Sequence, residues 1–464
     1  MPPKFGTSGL RGLVTELTAG LVGDYTAAFL GACDTGGAIC LGRDLRPSSP
    51  QIAQDVARAA VACGFTVIDC GAVPTPALAL AAQSRGAGAV MITGSHIPAD
   101  RNGIKFYSRA GEISKSDETA INAHPGAVQG AAAPGSVETD DGAGARFAER
   151  YLSACGQDAL AGMKIGHYTH SSVGRDLITR VLSGLGAEVV ELGRSENFIP
   201  VDTEAVAPDV RDMIRSWSSE HALDALVSSD GDADRPLLAD ETGAIVPGDI
   251  LGQIVAEALG AETVVTPVSS NSGVSRKGFG TVIRTRIGSP YVIAAMQEAT
   301  GKVAGYEANG GFLLGYTAEG RTGPLAPLMT RDCVLPLVIG LIAARGGTLS
   351  QRVGQEPPVV AMADRLQNVP QAFSTWFVDA LAGQEAVRAE FLRTLGAREA
   401  ALDLTDGVRM TLTDGSVLHV RPSGNAPELR LYTEAENSTA AQKLLAGGLA
   451  EISRRHSEWA ESAG

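Results

Sequence analysis

Apolar residues along this chain come in short runs that end at glycine-bearing or acidic loops, and stretches with helical spacing lie between them. Residues 38–42 (Ala-Ile-Cys-Leu-Gly) predict a strand, and residues 49–63, with Pro50 in the first turn, predict a helix. Residues 66–69 and 87–93 read as further strands, the second stopping at a polar loop, and residues 103–107 alternate like a strand. The same order returns downstream: strand 163–167, helix 174–183, strand 188–192, strand 223–227 running into an aspartate-rich loop, and strand 236–239 beyond it. It returns again with a helix opening at Pro247-Gly248-Asp249 and running through Ala258, strands at 263–267 and 282–286, and strand 303–306 entering a glycine loop. A last unit starts near Pro357, where 408–412 and 416–420 predict a hairpin around Asp414-Gly415. Residues 126–145, rich in Ala, Gly, Pro and Asp, predict a linker.

Three units thus share one plan, an apolar strand, a short polar loop and a second strand, which suggests a threefold structural repeat of α/β type. In such folds ligands bind at loops beyond the carboxyl ends of strands. A chain of 464 residues also exceeds the roughly 250–300 residues at which one core stops growing, so several domains are expected.

Charge sharpens the picture. A net charge of −14 repels nucleic acid and anionic membranes, which excludes both as partners. It repels anionic metabolites too, so a phosphate-bearing ligand requires the basic residues to be gathered in one cleft. Six cysteines without a CxxC pair speak against a disulfide framework and a thiolate zinc site. The first residues, Met1-Pro2-Pro3-Lys4, do not resemble a secretory signal. The longest apolar run, residues 334–344, is about half the roughly 20 residues a membrane span needs. A soluble, cytoplasmic protein is expected.

Four loops and the opening segment hold the candidate chemistry. Thr93-Gly94-Ser95-His96-Ile97-Pro98 places a serine beside a histidine at a strand end. On an extended backbone adjacent side chains point apart, so this is a poor hydrolase dyad, and a strand-ending turn has equal claim. In Asp230-Gly231-Asp232-Ala233-Asp234-Arg235, three alternate carboxylates can converge on one hard cation. An EF-hand fails there, because Arg235 replaces the glycine its turn requires and the flanks read as strands. Glu307 and Asn309 in Tyr306-Glu307-Ala308-Asn309-Gly310-Gly311 suit hydroxyl recognition, although a plain turn explains that loop alone. Arg421-Pro422-Ser423-Gly424-Asn425, followed by Arg430, forms a cradle for a phosphate dianion, against a turn stapled by an arginine and Glu428. Phe5-Gly6-Thr7-Ser8-Gly9-Leu10-Arg11-Gly12 is polar and glycine-rich, as disordered termini often are.

Together and in this order, these five segments resemble the α-D-phosphohexomutase superfamily over residues 5 to about 432. The resemblance implies a four-domain, heart-shaped protein with three related α/β domains and a smaller α+β domain, here residues 1–146, 147–246, 247–357 and 358–464. It implies that Ser95 carries the transferred phosphoryl group and that Asp230, Asp232 and Asp234, with an oxygen on Ser95, hold Mg²⁺. Lys105, Arg11 and Arg235 then flank the moving phosphoryl group. Glu307 and Asn309 meet the sugar hydroxyls, while Arg421, Ser423, Gly424, Asn425 and Arg430 hold the other phosphate. The implied reaction moves a phosphoryl group between mannose 6-phosphate and mannose 1-phosphate through a sugar 1,6-bisphosphate, which also serves as activator. Glucose phosphates are the next reading, then glucosamine phosphates; a sugar phosphatase and a silent sensor are the readings outside this class. A hexose phosphate is the expected partner, and the chain is expected to be a monomer or weak dimer. Two departures stand out: Gly311 lies where the family often has a proton-handling histidine, and Gly94 and Ile97 replace commoner residues, the glycine being expected to loosen the serine loop.

Overall fold

The computed structural model describes all residues except 1–2, 7–8, 125, 127–132, 424–426 and 464. The chain divides into two compact units, residues 1–265 with 288–355, and residues 266–287 with 356–464.

In the first unit, one sheet runs in the order Lys4–Phe5, Leu10–Leu13, Arg101–Ser108, Gly88–Ile92, Ala38–Arg43, Thr66–Ala72 and Val137–Thr139. Ala38–Arg43 is parallel to both Thr66–Ala72 and Gly88–Ile92. Gly88–Ile92 is buried at every position, as a strand covered on both faces should be, and its sequence is continuously apolar rather than alternating. Helices Ala19–Ala32 and Ser49–Ala62 cover part of the sheet around Phe29, Val56 and Phe106, which are buried. Arg101–Ser108 turns back antiparallel against Gly88–Ile92, and its register sets Lys105 opposite Met91 and Ile104 opposite Ile92. Residues 127–132 of the predicted linker lie outside the described residues; within the rest, Val137–Thr139 adds a parallel edge strand beside Thr66–Ala72, and Ala143 opens a helix running to Cys155. Asp140 anchors that junction through Arg146, six positions on, and through Arg85, 55 positions earlier and out of reach of local composition.

The plan then repeats. Glu188–Leu192, Lys164–Tyr168 and Ala225–Ser229 are parallel, and Pro236–Ala239 returns antiparallel to the last of them. Thr263–Pro267 is parallel to Val303–Tyr306, which meets Phe312–Leu314 antiparallel, and that strand pairs with Leu328–Asp332. In each repeat a buried parallel strand ends in a loop, and an antiparallel partner fixes both ends of that loop. This is the repeated strand–loop–strand plan expected from the sequence.

The second unit is built differently. Val360–Gln367, Glu428–Ala435, Val417–Pro422, Val408–Leu412 and Glu399–Asp403 form an antiparallel sheet. Phe373 and Phe377 from helix Gln371–Gly383 and Phe391 from helix Glu385–Thr394 pack onto it with Leu418 and Leu431. The predicted hairpin is present, with Gly415 at a φ of 84° in its turn, where a side chain would be strained. The long C-terminal helix Ser438–Ala463 has no counterpart in the sequence reading.

Candidate active site

The serine loop is held from behind. Thr93 at the end of its strand donates its hydroxyl proton to Asp44 Oδ2 at 2.8 Å and accepts the Ser95 N–H at 2.8 Å. Ser95 itself has a φ of 53°, a left-handed conformation costing a non-glycine residue about 1–2 kcal/mol that surrounding contacts must offset. Arg46 supplies those contacts. Its buried guanidinium donates to the carbonyls of Ser95 at 3.0 Å, Ile97 at 2.6 Å, Pro98 at 2.8 Å and Arg101 at 3.0 Å. It also pairs with Asp44 at 3.2 Å and lies 4.0 Å over the Phe198 ring. A Cβ on Gly94 would stand 2.7 Å from Arg46 Cζ. The glycine therefore does not loosen this loop as expected; the missing methyl makes room for the group that ties it down.

The left-handed Ser95 also brings its Oγ to 3.2 Å from His96 Nδ1, so the two side chains do not point apart. That same Nδ1 lies 2.9 Å from Arg235 Nη1. Burial, reinforced by Arg235, pulls the imidazole down to about 4. His96 is thus a neutral acceptor already engaged by a guanidinium, and the pair remains a poor hydrolase dyad for a different reason from the one read in the sequence.

The aspartate loop is closed by Ser229 pairing with Pro236, and the Asp230 N–H donates to the Arg235 carbonyl at 3.1 Å. Asp230, Asp232 and Asp234 are fully buried, with carboxylate oxygens within 4.8 Å of one another. Burial, followed by the charges of Asp232 and Asp234, pushes Asp230 well above the usual carboxylate range. Burial acts on Asp234 in the same sense, but Arg331, Lys105 and Arg235 outweigh it and hold that carboxyl below its ordinary value. Lys105 Nζ donates to Asp232 Oδ2 and Asp234 Oδ2, both at 2.6 Å. Burial disfavours its charge, yet Asp232 and Asp234 more than compensate, so it stays an ammonium. Ser95 Oγ donates to Asp230 Oδ2, and Thr75 Oγ1 to Asp232 Oδ2 at 2.5 Å.

Two oxygens of this cluster, Asp232 Oδ1 and Asp234 Oδ1, are buried without a hydrogen-bond partner. A hard cation would satisfy both, and an all-oxygen donor set suits Mg²⁺ rather than a soft metal. The residues present therefore fit the metal that the resemblance implies.

Three further cations surround the triad. Arg235 Nε lies 3.7 Å from Asp234 Oδ1 and 4.0 Å from Asp230 Oδ2. Arg11 stands on the strand paired with Arg101–Ser108, opposite Gly103; desolvation, with Arg235 and Arg331 near it, lowers it to about 10, still charged at neutral pH. Arg331 is the third, and the sequence reading did not include it. Its signal was a charged Arg331-Asp332 pair interrupting an otherwise apolar stretch. Arg46, Asp44 and Thr93 were missed as well, because their work is done on backbone carbonyls and on one another.

The glycine loop is a tight turn: Glu307 N–H donates to the Gly311 carbonyl at 3.1 Å, and Gly310 N–H to the Glu307 carbonyl at 2.9 Å. Glu307 and Asn309 are buried. Asn309 Oδ1 accepts the Gly311 N–H at 3.0 Å, so its carbonyl oxygen shapes the turn and its amide NH₂ is the part left for a ligand.

In the second unit, strand register sets Arg421 opposite Arg430. Like charges directly across an antiparallel pair repel, which is tolerable where an anion binds. Arg421 pairs with Asp406 at 3.0 Å, Arg430 approaches Glu428 at 3.7 Å, and Ser423 N–H donates to the Glu428 carbonyl at 2.9 Å. Gly424 and Asn425 lie outside the described residues.

Comparison with known proteins fits this arrangement. Family models for phosphoglucomutase/phosphomannomutase match in succession: α/β/α domain I over residues 2–128, domain II over 145–243, domain III over 240–359 and the C-terminal domain over 360–452. A phosphomannomutase of Sinorhizobium fredii is 47% identical, covering 97% of this chain and 99% of that protein. One from Salmonella muenchen is 41% identical, covering 97% and 95%. Among solved structures, a phosphoglucomutase/phosphomannomutase family protein from Burkholderia thailandensis matches with a TM-score of 0.77 at 21% identity, covering 98% of this chain and 97% of that one.

Proposed function

The chain belongs to the phosphoglucomutase/phosphomannomutase family, and on that premise we propose that it interconverts mannose 6-phosphate and mannose 1-phosphate, with Ser95 as the phosphoryl carrier. The observation that carries this reading is the hydrogen bond from Ser95 Oγ to Asp230, on a loop whose other two carboxylates meet Lys105. A serine set into a carboxylate triad with cations around it suits phosphoryl transfer, which asks a protein mainly for in-line positioning and positive charge on the equatorial oxygens. The choice of mannose is supported by the two relatives at 47% and 41% identity, both phosphomannomutases.

In this reading a trace of hexose 1,6-bisphosphate charges Ser95. Phosphoserine then phosphorylates the free hydroxyl of the monophosphate, the Oγ–P bond breaking as the sugar O–P bond forms and the hydroxyl proton ending on the freed Ser95 oxygen. The resulting bisphosphate turns over and returns its other phosphate to Ser95. Lys105, Arg11 and Arg235 neutralise the moving group. Glu307 and the Asn309 NH₂ orient the sugar hydroxyls. Arg421, Ser423, Gly424, Asn425 and Arg430 hold whichever phosphate is not reacting. Asp230, Asp232, Asp234 and a Ser95 oxygen would hold Mg²⁺, which supplies further positive charge at the transferring phosphoryl group.

The test is isomerisation by purified protein with Mg²⁺ and catalytic hexose 1,6-bisphosphate, comparing mannose, glucose and glucosamine 1-phosphates and recording free phosphate. Conversion led by mannose 1-phosphate and abolished in Ser95→Ala is expected. No conversion of any of the three, or phosphate release without isomerisation, overturns the reading.

A further inference from the structure

Arg331 is the most heavily engaged charged side chain around the site to which no role has been given. It stands on Leu328–Asp332, the strand paired antiparallel with Phe312–Leu314, with Asp332 in register with Phe312. Its Nη1 donates to Glu307 Oε2 at 3.1 Å, and its Nη2 lies 2.8 Å from Asp234 Oδ2. Arg331, Glu307 and Asp234 are all buried. One planar guanidinium therefore joins the glycine loop to the aspartate loop, two loops that no strand pairing connects among the described residues.

The space it fills is defined by a missing side chain. A Cβ on Gly311 would lie 2.8 Å from both Cγ and Cδ of Arg331 and 3.1 Å from its Cβ. Residue 311 must lack a side chain for the arginine to pass, so the two positions form one device. Being permanently protonated, the guanidinium has no proton to exchange at working pH. Both arms of its fork are already turned to carboxylates, Nη1 to Glu307 and Nη2 to Asp234, rather than offered to a substrate. What it can do is fix the direction of the Glu307 carboxylate relative to the carboxylates beside Ser95.

We propose that Arg331 is a positioning residue for sugar recognition: threaded over Gly311, it clamps Glu307 to Asp234 and so sets where the sugar hydroxyls stand relative to the phosphoryl group on Ser95. The inference rests on the proposed mutase reading and adds to it a determinant of sugar choice. A lysine would keep the charge but not the fork that reaches two carboxylates at once. Loss of the fork frees Glu307 to adapt to hydroxyls of either configuration, so epimers differing only at one carbon become harder to tell apart.

The experiment compares wild type, Arg331→Lys, Glu307→Gln and the double variant, with mannose and glucose 1-phosphates as probes. Steady-state kinetics reads KM and kcat, and equilibrium dialysis of the labelled sugar phosphates reads binding even in a chain that does not turn over. Arg331→Lys is expected to weaken mannose phosphate binding at least tenfold and to shrink the mannose-to-glucose preference at least threefold. Adding Glu307→Gln should then weaken binding by less than Glu307→Gln does in the wild type, because the two variants share one contact. Should Arg331→Lys not fold, Gly311→Ala, which pushes the arginine aside, carries the same readouts with the same expectation. Binding and preference unchanged within twofold, or single effects that multiply in the double variant, overturn the clamp. A wild type that binds but never isomerises overturns the mutase reading instead, and the dialysis ratios still decide on the clamp.

Discussion

Arg46 Nη2 donates to the main-chain carbonyl of Ser95 at 3.0 Å, so the serine read as the phosphoryl carrier is held from its backbone by a residue 49 positions earlier. With three more carbonyls on the same guanidinium and Asp44 beside it, the strained conformation of Ser95 is fixed before any substrate arrives. Arg46→Ala leaves the buried Asp44 with hydroxyl donors such as Thr93 but without its cation, and breaking a buried ion pair costs about 3–5 kcal/mol. The variant should lose that much stability in denaturant unfolding. Arg46→Lys should recover part of the stability but not the carbonyl array, so its phosphorylation of Ser95 by hexose bisphosphate, followed by mass spectrometry, should be slower by one to two orders of magnitude. Charging at the wild-type rate in Arg46→Lys would show that the array does not position the serine.

How far this site could be read in the sequence follows from how its parts are held. Ser95, Lys105, the aspartates and Glu307 stand in or beside loops between a strand and its antiparallel partner, and such loops announce themselves as polar, glycine-bearing breaks between apolar runs. Arg46 and Arg331 do not, because each sits among ordinary residues and, Asp44 beside Arg46 apart, meets the partners named here through contacts distant in sequence, 24 positions from Arg331 to Glu307 and up to 55 from Arg46 to Arg101. The edge strand Val137–Thr139 was hidden for a related reason: all three of its residues are exposed, so no apolar alternation marks it. The serine–histidine geometry was misread because a positive φ at a non-glycine residue leaves no trace in residue type.

Removal of the metal gives a second prediction. A divalent cation held by the three buried carboxylates, two of whose oxygens lack a hydrogen-bond partner, would bind the folded state only, so Mg²⁺ should stabilise the protein by about 2.7 kcal/mol at a hundredfold excess over its Kd. Thermal unfolding should therefore shift upward with Mg²⁺, return with chelator, and respond far less in Asp232→Asn. A midpoint indifferent to Mg²⁺ in the wild type would refute the assignment of this cluster.

A third concerns Arg430, which faces Arg421 across the hairpin. If the pair serves a phosphate, Arg430→Gln relieves repulsion in the free protein while weakening the ligand. The expected result is a KM for mannose 1-phosphate raised about tenfold, in line with the loss of one charge-assisted hydrogen bond, with stability unchanged or higher by up to about 0.5 kcal/mol. If Arg430 serves instead to staple the turn through Glu428, stability falls and KM does not move.

The last prediction is the response to acid. His167 is buried on Lys164–Tyr168, where its Nδ1 meets Thr179 Oγ1 at 2.8 Å, and burial, with His170 and Arg194 adding to it against Asp176, lowers it to about 3. A folded-state value below the ordinary 6.5 means that the unfolded chain takes up the proton first. The stability contributed by neutral His167 is therefore complete above about pH 6.5 and is lost as pH falls toward 3, about 2–3 kcal/mol of it by pH 4.5. Unfolding free energy should decline across that window, and His167→Asn, which retains a partner for Thr179 but cannot titrate, should flatten the decline by that amount. A variant whose stability falls as steeply as the wild type between pH 6.5 and 4.5 would show that the ring is protonated in the fold at no cost.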